Sequence, residues 1–403
     1  MTGQELQRGR SPLVVLLIVS VALSATANNF ASRIKAELLG DYNFVTVVPD
    51  SFLQLVFNLV ALGIQKARHR VHPAQCRYLF ACGKSWTACG AWKLLALAGV
   101  NDIANNVTGL AAQPHLTTFT MSLTDQATTP FTVVFSVLLL GTRYIALEWV
   151  SILVIIAAAI SCVVIVNSVS DPDDSRFWAI FAAVTTSFAA LSFVLKEITF
   201  TGYKAFWSRS GNSHRSFGIQ LPNSPPDQLS DEQHLQRRLH EPNGGPSCPA
   251  NSDSLDTLNV FLVGAFINFV GLLFSVPIAL LNHSAVSSGS SWLALTDGLQ
   301  MLWQKEHALT AYFVYIAINT LFNVALILTT SNGSALLSFL SLKAAVPLTA
   351  ILSAVPWPVI GAKPLHEAEW LALLVLIAGI TAFRIGNLKR LRMEAADTGA
   401  EPV

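Results

Sequence analysis

The stretch Trp149–Val166 decides the fold: its sequence is WVSILVIIAAAISCVVIV, without a single charged side chain. A helix needs about 20 mostly apolar residues to cross roughly 30 Å of hydrocarbon, so this stretch has the length of a membrane span. It is too long for a strand of a membrane barrel, and lipid would leave the backbone of an open strand without hydrogen bonds. The stretch is therefore predicted to be a transmembrane helix.

Similar apolar stretches lie on both sides of it. The other predicted spans are Pro12–Phe30, Phe44–Ile64, Leu94–Ala112, Leu116–Leu140, Phe177–Leu195, Leu258–Leu281, Ala311–Thr329, Ala335–Val355 and Glu369–Ile385. Of the 403 residues 52% are hydrophobic and only 12% are charged, and the mean hydropathy is +0.52. Soluble domains carry roughly a quarter charged residues, which excludes a soluble enzyme, a nucleic-acid binder and a disordered scaffold. We therefore predict an all-α polytopic membrane protein with ten transmembrane helices.

The charges of the short loops predict the orientation. Residues 65–93 contain six basic residues and no acid, whereas residues 168–176 contain three aspartates and one arginine. The positive-inside rule places the first loop in the cytosol and the second outside it, so both termini are expected to be cytosolic. Few residues precede the first span, which leaves little room for a transit peptide and favours a vacuolar or other endomembrane location over a plastid.

The spans divide the chain into five predicted parts. These are a cytosolic N-terminus (1–11), spans one to six (12–202), a flexible cytosolic linker (203–257), spans seven to ten (258–386) and a cytosolic tail (387–403). The linker is rich in proline, glycine and mixed charges and cannot bury a core of its own.

The ends of the two halves resemble each other. Each half has a proline in its fourth span, followed by a glycine, a basic residue and a Glu-Trp pair. The matching residues are Pro130, Gly141, Arg143 and Glu148-Trp149 in the first half, and Pro347, Gly361, Lys363 and Glu369-Trp370 in the second. Five spans per half make the two copies cross the membrane in opposite senses, which is the inverted-topology repeat of secondary transporters. The repeat favours a carrier over a channel or a membrane enzyme.

Ionisable side chains inside spans are costly and mark a functional site by default. Away from the span ends the predicted spans contain four: Asp50, Asp102, Asp125 and Lys343. Neighbouring polar side chains on the same or converging helix faces complete the candidate substrate-binding or coupling site: Asn28, Asn101, Asn105, Ser122, Thr129, Asn319 and Asn323. An ion pair between Lys343 and one aspartate that only holds the helices together is the alternative interpretation.

More acids than bases in this set predict a cationic or zwitterionic substrate. A carboxylate in a dry cavity can take and release a proton near neutral pH, so Asp125 or Asp102 is expected to couple transport to a proton gradient. The cysteines lack zinc-site spacing, and the chain contains no Walker motif or hydrolase motif, so we expect no metal, no cofactor and no enzymatic activity.

Four motifs occur in order along nearly the whole chain. They are Asn28–Arg33 with Lys35, Ser122–Arg143, Leu191–Glu197 and Leu337–Thr349. The set resembles the chloroquine-resistance-transporter-like branch of the drug/metabolite transporter superfamily. The resemblance implies a ten-helix carrier that exports small peptides, thiol peptides such as glutathione, amino acids or cationic drugs across vacuolar or plastid membranes.

The sequence thus predicts a proton-coupled secondary active transporter of small cationic or zwitterionic metabolites that works by alternating access. Its expected partners are a small-molecule substrate, protons and the lipid bilayer, with no nucleic acid, and the expected state is a monomer or homodimer. A nucleotide-sugar or sugar-phosphate exchanger is the alternative within the superfamily, although it would need a basic cavity. A non-transporting membrane scaffold or receptor is the alternative from another class.

Overall fold

The computed structural model describes residues 3–68, 71, 73–80, 90–116, 118–166, 172–216, 258–286, 290–332, 335–357, 361 and 367–397. These residues are almost entirely helical, and they contain no β-strand beyond an isolated bridge between Trp357 and Gly361. The prediction of an all-α chain is therefore confirmed.

The described helices follow one another with short connections. They are α1 (Gly3–Leu39), α2 (Val47–Ala67), α3 (Pro73–Phe80), α4 (Trp92–Ala112), α5 (Thr118–Thr124), α6 (Thr128–Phe135), α7 (Ala146–Val166), α8 (Pro172–Ser216), α9 (Val260–Val286), α10 (Ser291–Gln304), α11 (Ala308–Asn332), α12 (Ala335–Ser353) and α13 (Glu367–Asp397). Short 3-10 segments lie at Gly40–Thr46, Gln113–His115 and Asp125–Ala127, and a π-helical turn lies at Ser136–Leu140.

Several of these helices can cross a membrane. Within the described residues five segments are long and apolar enough: Val15–Ala67, which joins α1 to α2, Thr120–Leu140, Phe177–Trp207, Val260–Ser284 and Ala308–Ser331. Shorter apolar helical segments lie at Ala146–Ala158, Ser341–Ser353 and Leu373–Gly386. Large apolar side chains such as Leu138 and Leu281 are exposed on the outside, as lipid-facing positions require. The chain is an integral, multi-pass membrane protein, and the number of ten spans stays a prediction.

Two helices continue beyond the predicted ends of their spans. The first span was predicted to end at Phe30, but α1 continues to Leu39, and the sixth was predicted to end at Leu195, but α8 continues to Ser216. A span predicted from hydropathy ends where the first charged residues occur. Lys, Arg and Glu are nevertheless good helix formers, so the helix itself continues past that point. The first residues of the predicted linker, 203–216, are consequently helical, and its remainder, 217–257, lies outside the described residues.

The predicted fourth span is interrupted in the middle. It consists of α5, a 3-10 turn at Asp125–Ala127, α6 and the π-helical turn. Pro130 has no backbone N–H, so the carbonyl of Gln126, four residues earlier, loses its usual helical donor. The Thr128 hydroxyl donates to the carbonyl of Asp125 at 2.6 Å and stabilises the break.

Helix packing arranges these segments around a common centre. The most extensive contacts join α4 to α8 and α9, α1 to α11 and α12, α2 to α9, and α7 to α13. At Gly99 of α4 the backbone comes so close to α9 that an added Cβ would lie 2.9 Å from the carbonyl oxygen of Ile267 and 3.2 Å from the Cβ of Val270. Close approach through small residues is the usual way in which membrane helices pack.

Replacing Gly99 by alanine is therefore expected to push α4 and α9 apart and to destabilise the protein. Overpacking of a filled interface costs about 1–3 kcal/mol. Gly63→Ala is a matched control, because a Cβ added to this helical glycine would meet nothing within 4 Å. The two variants can be compared by thermal unfolding in detergent. Equal midpoints for Gly99→Ala and Gly63→Ala would contradict the close packing of α4 on α9.

Candidate functional site

A polar cavity of about 300 Å³ lies in the centre of the helices. Residues from α1, α2, α4, the interrupted α5–α6 segment, α8, α9, α11 and α12 line it. The lining side chains described by the structure include eleven amides from asparagine and glutamine, and five charged groups: Asp50, Asp102, Asp125, Lys196 and Lys343. Polar groups at this density are unfavourable against lipid, so the cavity is where the membrane helices turn their polar faces.

Most of the side chains predicted from the sequence line this cavity. They are Asn28, Asp50, Asp102, Asn105, Ser122, Asp125, Asn319, Asn323 and Lys343. Asn101 is not among the lining residues, and its amide instead donates to the carbonyl of Leu97 in its own helix at 2.8 Å. Thr129 is buried beside the cavity, and its hydroxyl has no hydrogen-bond partner within the described residues. The stripes of polar residues thus locate the site, although not every member faces it.

Asp102 of α4 forms a direct ion pair with Lys196 of α8. The Lys196 Nζ lies 2.7 Å from the Asp102 Oδ2, and it also lies 4.7 Å from the centre of the Phe193 ring. The pair connects two of the most closely packed helices, and the lysine lines the cavity next to its partner. Sequence reasoning missed Lys196 because the sixth span was predicted to end one residue before it. The unpaired aspartate in the third span was the available signal that a base should face it.

Lys343 of α12 contacts the interrupted segment of the other half. Its Nζ donates to the backbone carbonyls of Asp125 and Gln126, at 3.3 and 3.5 Å. The Gln126 carbonyl is the one that Pro130 deprives of its helical donor. The buried ammonium therefore adds a donor to carbonyls at the 3-10 turn, where the regular α-helical hydrogen-bond pattern changes.

The Asp125 carboxylate has a different environment from the other two aspartates. Its side chain is exposed to the cavity and makes no hydrogen bond to another described side chain, while Lys343 supplies a nearby positive charge. Because Lys343 bonds to backbone oxygens, the carboxylate oxygens of Asp125 stay available to a bound molecule.

The excess of acids over bases is smaller in the structure than the sequence predicts, because three aspartates and two lysines line the cavity. Lys196 lines the cavity together with Lys343, and Lys35 of α1, which is fully buried, interacts electrostatically with Asp50. Each of the three aspartates therefore has a lysine close to it. Lys35 and Lys196 lie just beyond the predicted ends of their spans, so they were not counted among the ionisable groups inside the membrane.

A hydrogen-bond network closes the cavity at the end where α1 meets the 3-10 turn after α4. The buried Arg33 guanidinium donates to the carbonyls of Gln113 and Leu116, the second at 2.6 Å. The Gln113 side chain bonds to the Ser32 hydroxyl at 2.8 Å and accepts from the Asn43 amide at 3.0 Å. Ser32 and Gln113 both line the cavity, so this network is its wall at that end.

Comparison with known proteins agrees with the motifs. Residues 83–206 match the family model described as CRT-like, chloroquine-resistance transporter-like. The matched part contains α4, the interrupted α5–α6 segment, α7 and most of α8, and thus Asp102, Asp125 and Lys196. No curated protein matches the chain at a significant level. The matched range includes two of the four motifs, Ser122–Arg143 and Leu191–Glu197, and over this range the chain is similar to the family to which the motifs point.

Proposed function

We propose that the protein is a secondary active transporter that moves small zwitterionic metabolites by alternating access. The observation that carries this proposal is the meeting of Asp125 and Lys343 at a central polar cavity, with one residue from each half of the chain. Secondary transporters built from inverted repeats bind substrate near the midplane between the repeats, often at interrupted helices. The α5–α6 segment, with its 3-10 turn at Asp125–Ala127, is comparable to such a helix.

The backbone supports an arrangement of ten spans in two inverted repeats. Gly141 and Gly361, the matching glycines of the two halves, both have left-handed backbone conformations, with φ of 66° and 70°. Glycine adopts positive φ without the steric cost that other residues bear, so both copies use the same residue for the same sharp turn. In this arrangement α1, α2 and α4 correspond to α8, α9 and α11.

Helix packing follows the same correspondence and also departs from it. Exchanging the halves turns the α4–α8 contact into an α11–α1 contact, and both contacts are extensive. It turns the α4–α9 contact into one between α11 and α2, but these two helices touch at few positions. One of two equivalent interfaces is therefore closed while the other is loose. This asymmetry is what alternating access requires of a carrier caught facing one side.

The proposed orientation places both termini in the cytosol, in a vacuolar or other endomembrane. An ion pair supports it: the Glu148 Oε1 at the start of α7 accepts from the Arg390 Nε near the end of α13, at 3.2 Å. These two helix ends therefore lie on the same side of the membrane, as the alternation of spans demands. The carrier is proposed to act as a monomer or homodimer.

The cavity suits a substrate that carries both charges. Three aspartates with three nearby lysines leave little net charge, which disfavours a substrate that is only cationic. The lining amides can each donate and accept hydrogen bonds, as the peptide groups of a small peptide require. In the proposed complex the free carboxylate of Asp125 binds the substrate ammonium group. Amino acids and small peptides fit this description.

The other candidates fit less well. A nucleotide-sugar or sugar-phosphate exchanger would need an excess of positive charge for the phosphate groups, and each lysine here has an acidic neighbour. A scaffold or receptor has no need of a polar cavity that draws on so many helices.

The test is counterflow in proteoliposomes loaded with one unlabelled compound and supplied with the same compound labelled outside. We expect exchange of alanyl-alanine at least about tenfold above liposomes without protein, an effect equivalent to roughly 1.4 kcal/mol. Arginine, UDP-glucose and glucose 6-phosphate form the comparison set. A higher rate for either phosphate compound would favour the exchanger, and no exchange of any compound would overturn the carrier proposal.

A further inference from the structure

Asp50 lies in a closed environment in the first turn of α2. Its side chain is 6% exposed, and its Oδ1 is fully buried without a hydrogen-bond partner in the described part of the chain. The charged and titratable groups that face it are Lys35 from α1 and the phenols of Tyr312 and Tyr315 from α11. Helices α4 and α9 also pack on α2, and neither presents a described charged group to Asp50.

Lys35 is close to Asp50 but is held by other groups. Its Nζ donates to the hydroxyl of Thr46 at 2.7 Å and lies 3.8 Å from the centre of the Tyr315 ring. The described residues include no ion pair within 4 Å between Lys35 and Asp50. An ionised carboxylate in this position would keep one oxygen buried and unpaired, which is among the costliest arrangements in a protein interior.

The other two aspartates of the cavity lack this problem. Asp102 has the Lys196 ammonium at 2.7 Å, so its charge is neutralised by direct contact. Asp125 is exposed to the cavity, where water or a substrate can reach it. Asp50 is the one whose carboxyl group gains most from binding a proton in the conformation described.

We propose that Asp50 is the proton-carrying group of the transporter and that Lys35 is the side chain that responds to its charge. The inference rests on the proposed transport function. A proton from water on the acidic side adds to the Asp50 carboxylate and forms a neutral carboxylic acid, while Lys35 stays on Thr46. When the proton leaves to water on the other side, the carboxylate attracts Lys35 away from Thr46. Thr46 ends the 3-10 segment that packs against the Asn43–Gln113 network, so this movement alters the closed end of the cavity.

The first test does not depend on transport. Infrared difference spectroscopy of the purified protein between acidic and alkaline pH is expected to detect the carbonyl stretch of a protonated buried carboxyl group. The band is expected to be absent in Asp50→Asn and present in Asp102→Asn and Asp125→Asn. A band that persists in Asp50→Asn would overturn the assignment. Thermal unfolding verifies that each variant is folded.

The second test measures coupling in proteoliposomes with the membrane potential clamped. A carrier that moves one proton with each substrate can accumulate it about tenfold per unit of pH difference. Alanyl-alanine uptake by Asp50→Asn is expected to lose this accumulation and to retain exchange at equal pH, because asparagine resembles the protonated carboxyl. Asp50→Glu is expected to restore accumulation.

Different results would overturn the transport function and the role of Asp50. If the wild type exchanges no compound, the transport function is wrong. If the wild type accumulates dipeptide along the gradient and Asp50→Asn does so equally, the function stands and Asp50 is not the coupling group.

Discussion

Asp125→Asn is expected to weaken alanyl-alanine binding about 10- to 100-fold, because a hydrogen bond to a charged group contributes about 1.5–3 kcal/mol. The carboxylate faces the cavity without a described hydrogen-bond partner, so its oxygens are free for the substrate ammonium. Asparagine keeps the shape and removes the charge. The dissociation constant can be measured by scintillation proximity on purified protein.

Two control variants define the result. Asp41→Asn removes an aspartate that is 85% exposed in the 3-10 segment after α1, and it is expected to bind like the wild type. Asp125→Glu keeps the charge on a longer side chain and is expected to bind better than Asp125→Asn. If Asp125→Asn and Asp41→Asn bind the dipeptide equally well, Asp125 does not contact the substrate.

Glu148→Ala is expected to cost about 1.5–3 kcal/mol of stability, because it removes a buried carboxylate that bonds to the partly buried Arg390 guanidinium. Glu148 is completely buried, and both of its carboxylate oxygens are used: Oε1 by Arg390 at 3.2 Å and Oε2 by the backbone N–H of Ile145 at 2.8 Å. Arg390 also lies over the Tyr144 ring, so the pair joins the loop before α7 to the end of α13. Thermal unfolding in detergent measures the loss.

The double variant Glu148→Ala/Arg390→Ala measures how much the contact between the two side chains contributes to stability. Its destabilisation is expected to be smaller than the sum of the single variants, because each single variant already removes the contact between the two side chains. Glu306→Ala serves as the reference, since this residue is 88% exposed. Additive effects of the two single substitutions would mean that the ion pair contributes nothing through its own contact.

The apolar stretches predicted the helical membrane fold, because the cost of unpaired backbone in lipid leaves few alternatives. They predicted the ends of helices less well. Lys35 and Lys196 lie beyond the predicted ends of their spans, but each is buried on a helix that continues through it. A lysine is tolerated there because an acidic side chain on another helix compensates its charge. A hydropathy profile uses only the order of residues along the chain, so it does not show which side chains come together when the protein folds.

The polar stripes located the cavity but could not assign each side chain to it. Asn101 and Asn105 are one helical turn apart, yet Asn105 lines the cavity and Asn101 bonds to its own helix. The rotation of the helix about its own axis decides whether an asparagine faces the cavity. Packing against the neighbouring helices sets that rotation. Pro130 indicated a lost backbone hydrogen bond in the fourth span, but not the 3-10 turn at Asp125–Ala127, because a proline does not reveal whether a helix bends or changes its hydrogen-bond pattern.

The contact between Lys343 and the carbonyls of Asp125 and Gln126 also concerns how such a protein could have arisen by duplication. The ammonium from the second half donates to two backbone carbonyls of the first half, so a polypeptide ending after α7 would lack this donor at its 3-10 turn. If the proposed inverted repeat arose by duplication, a half-length ancestor would have needed a second copy, inserted in the opposite sense, to present a donor at the same point. The contact thus joins the two halves of the present chain directly at the cavity.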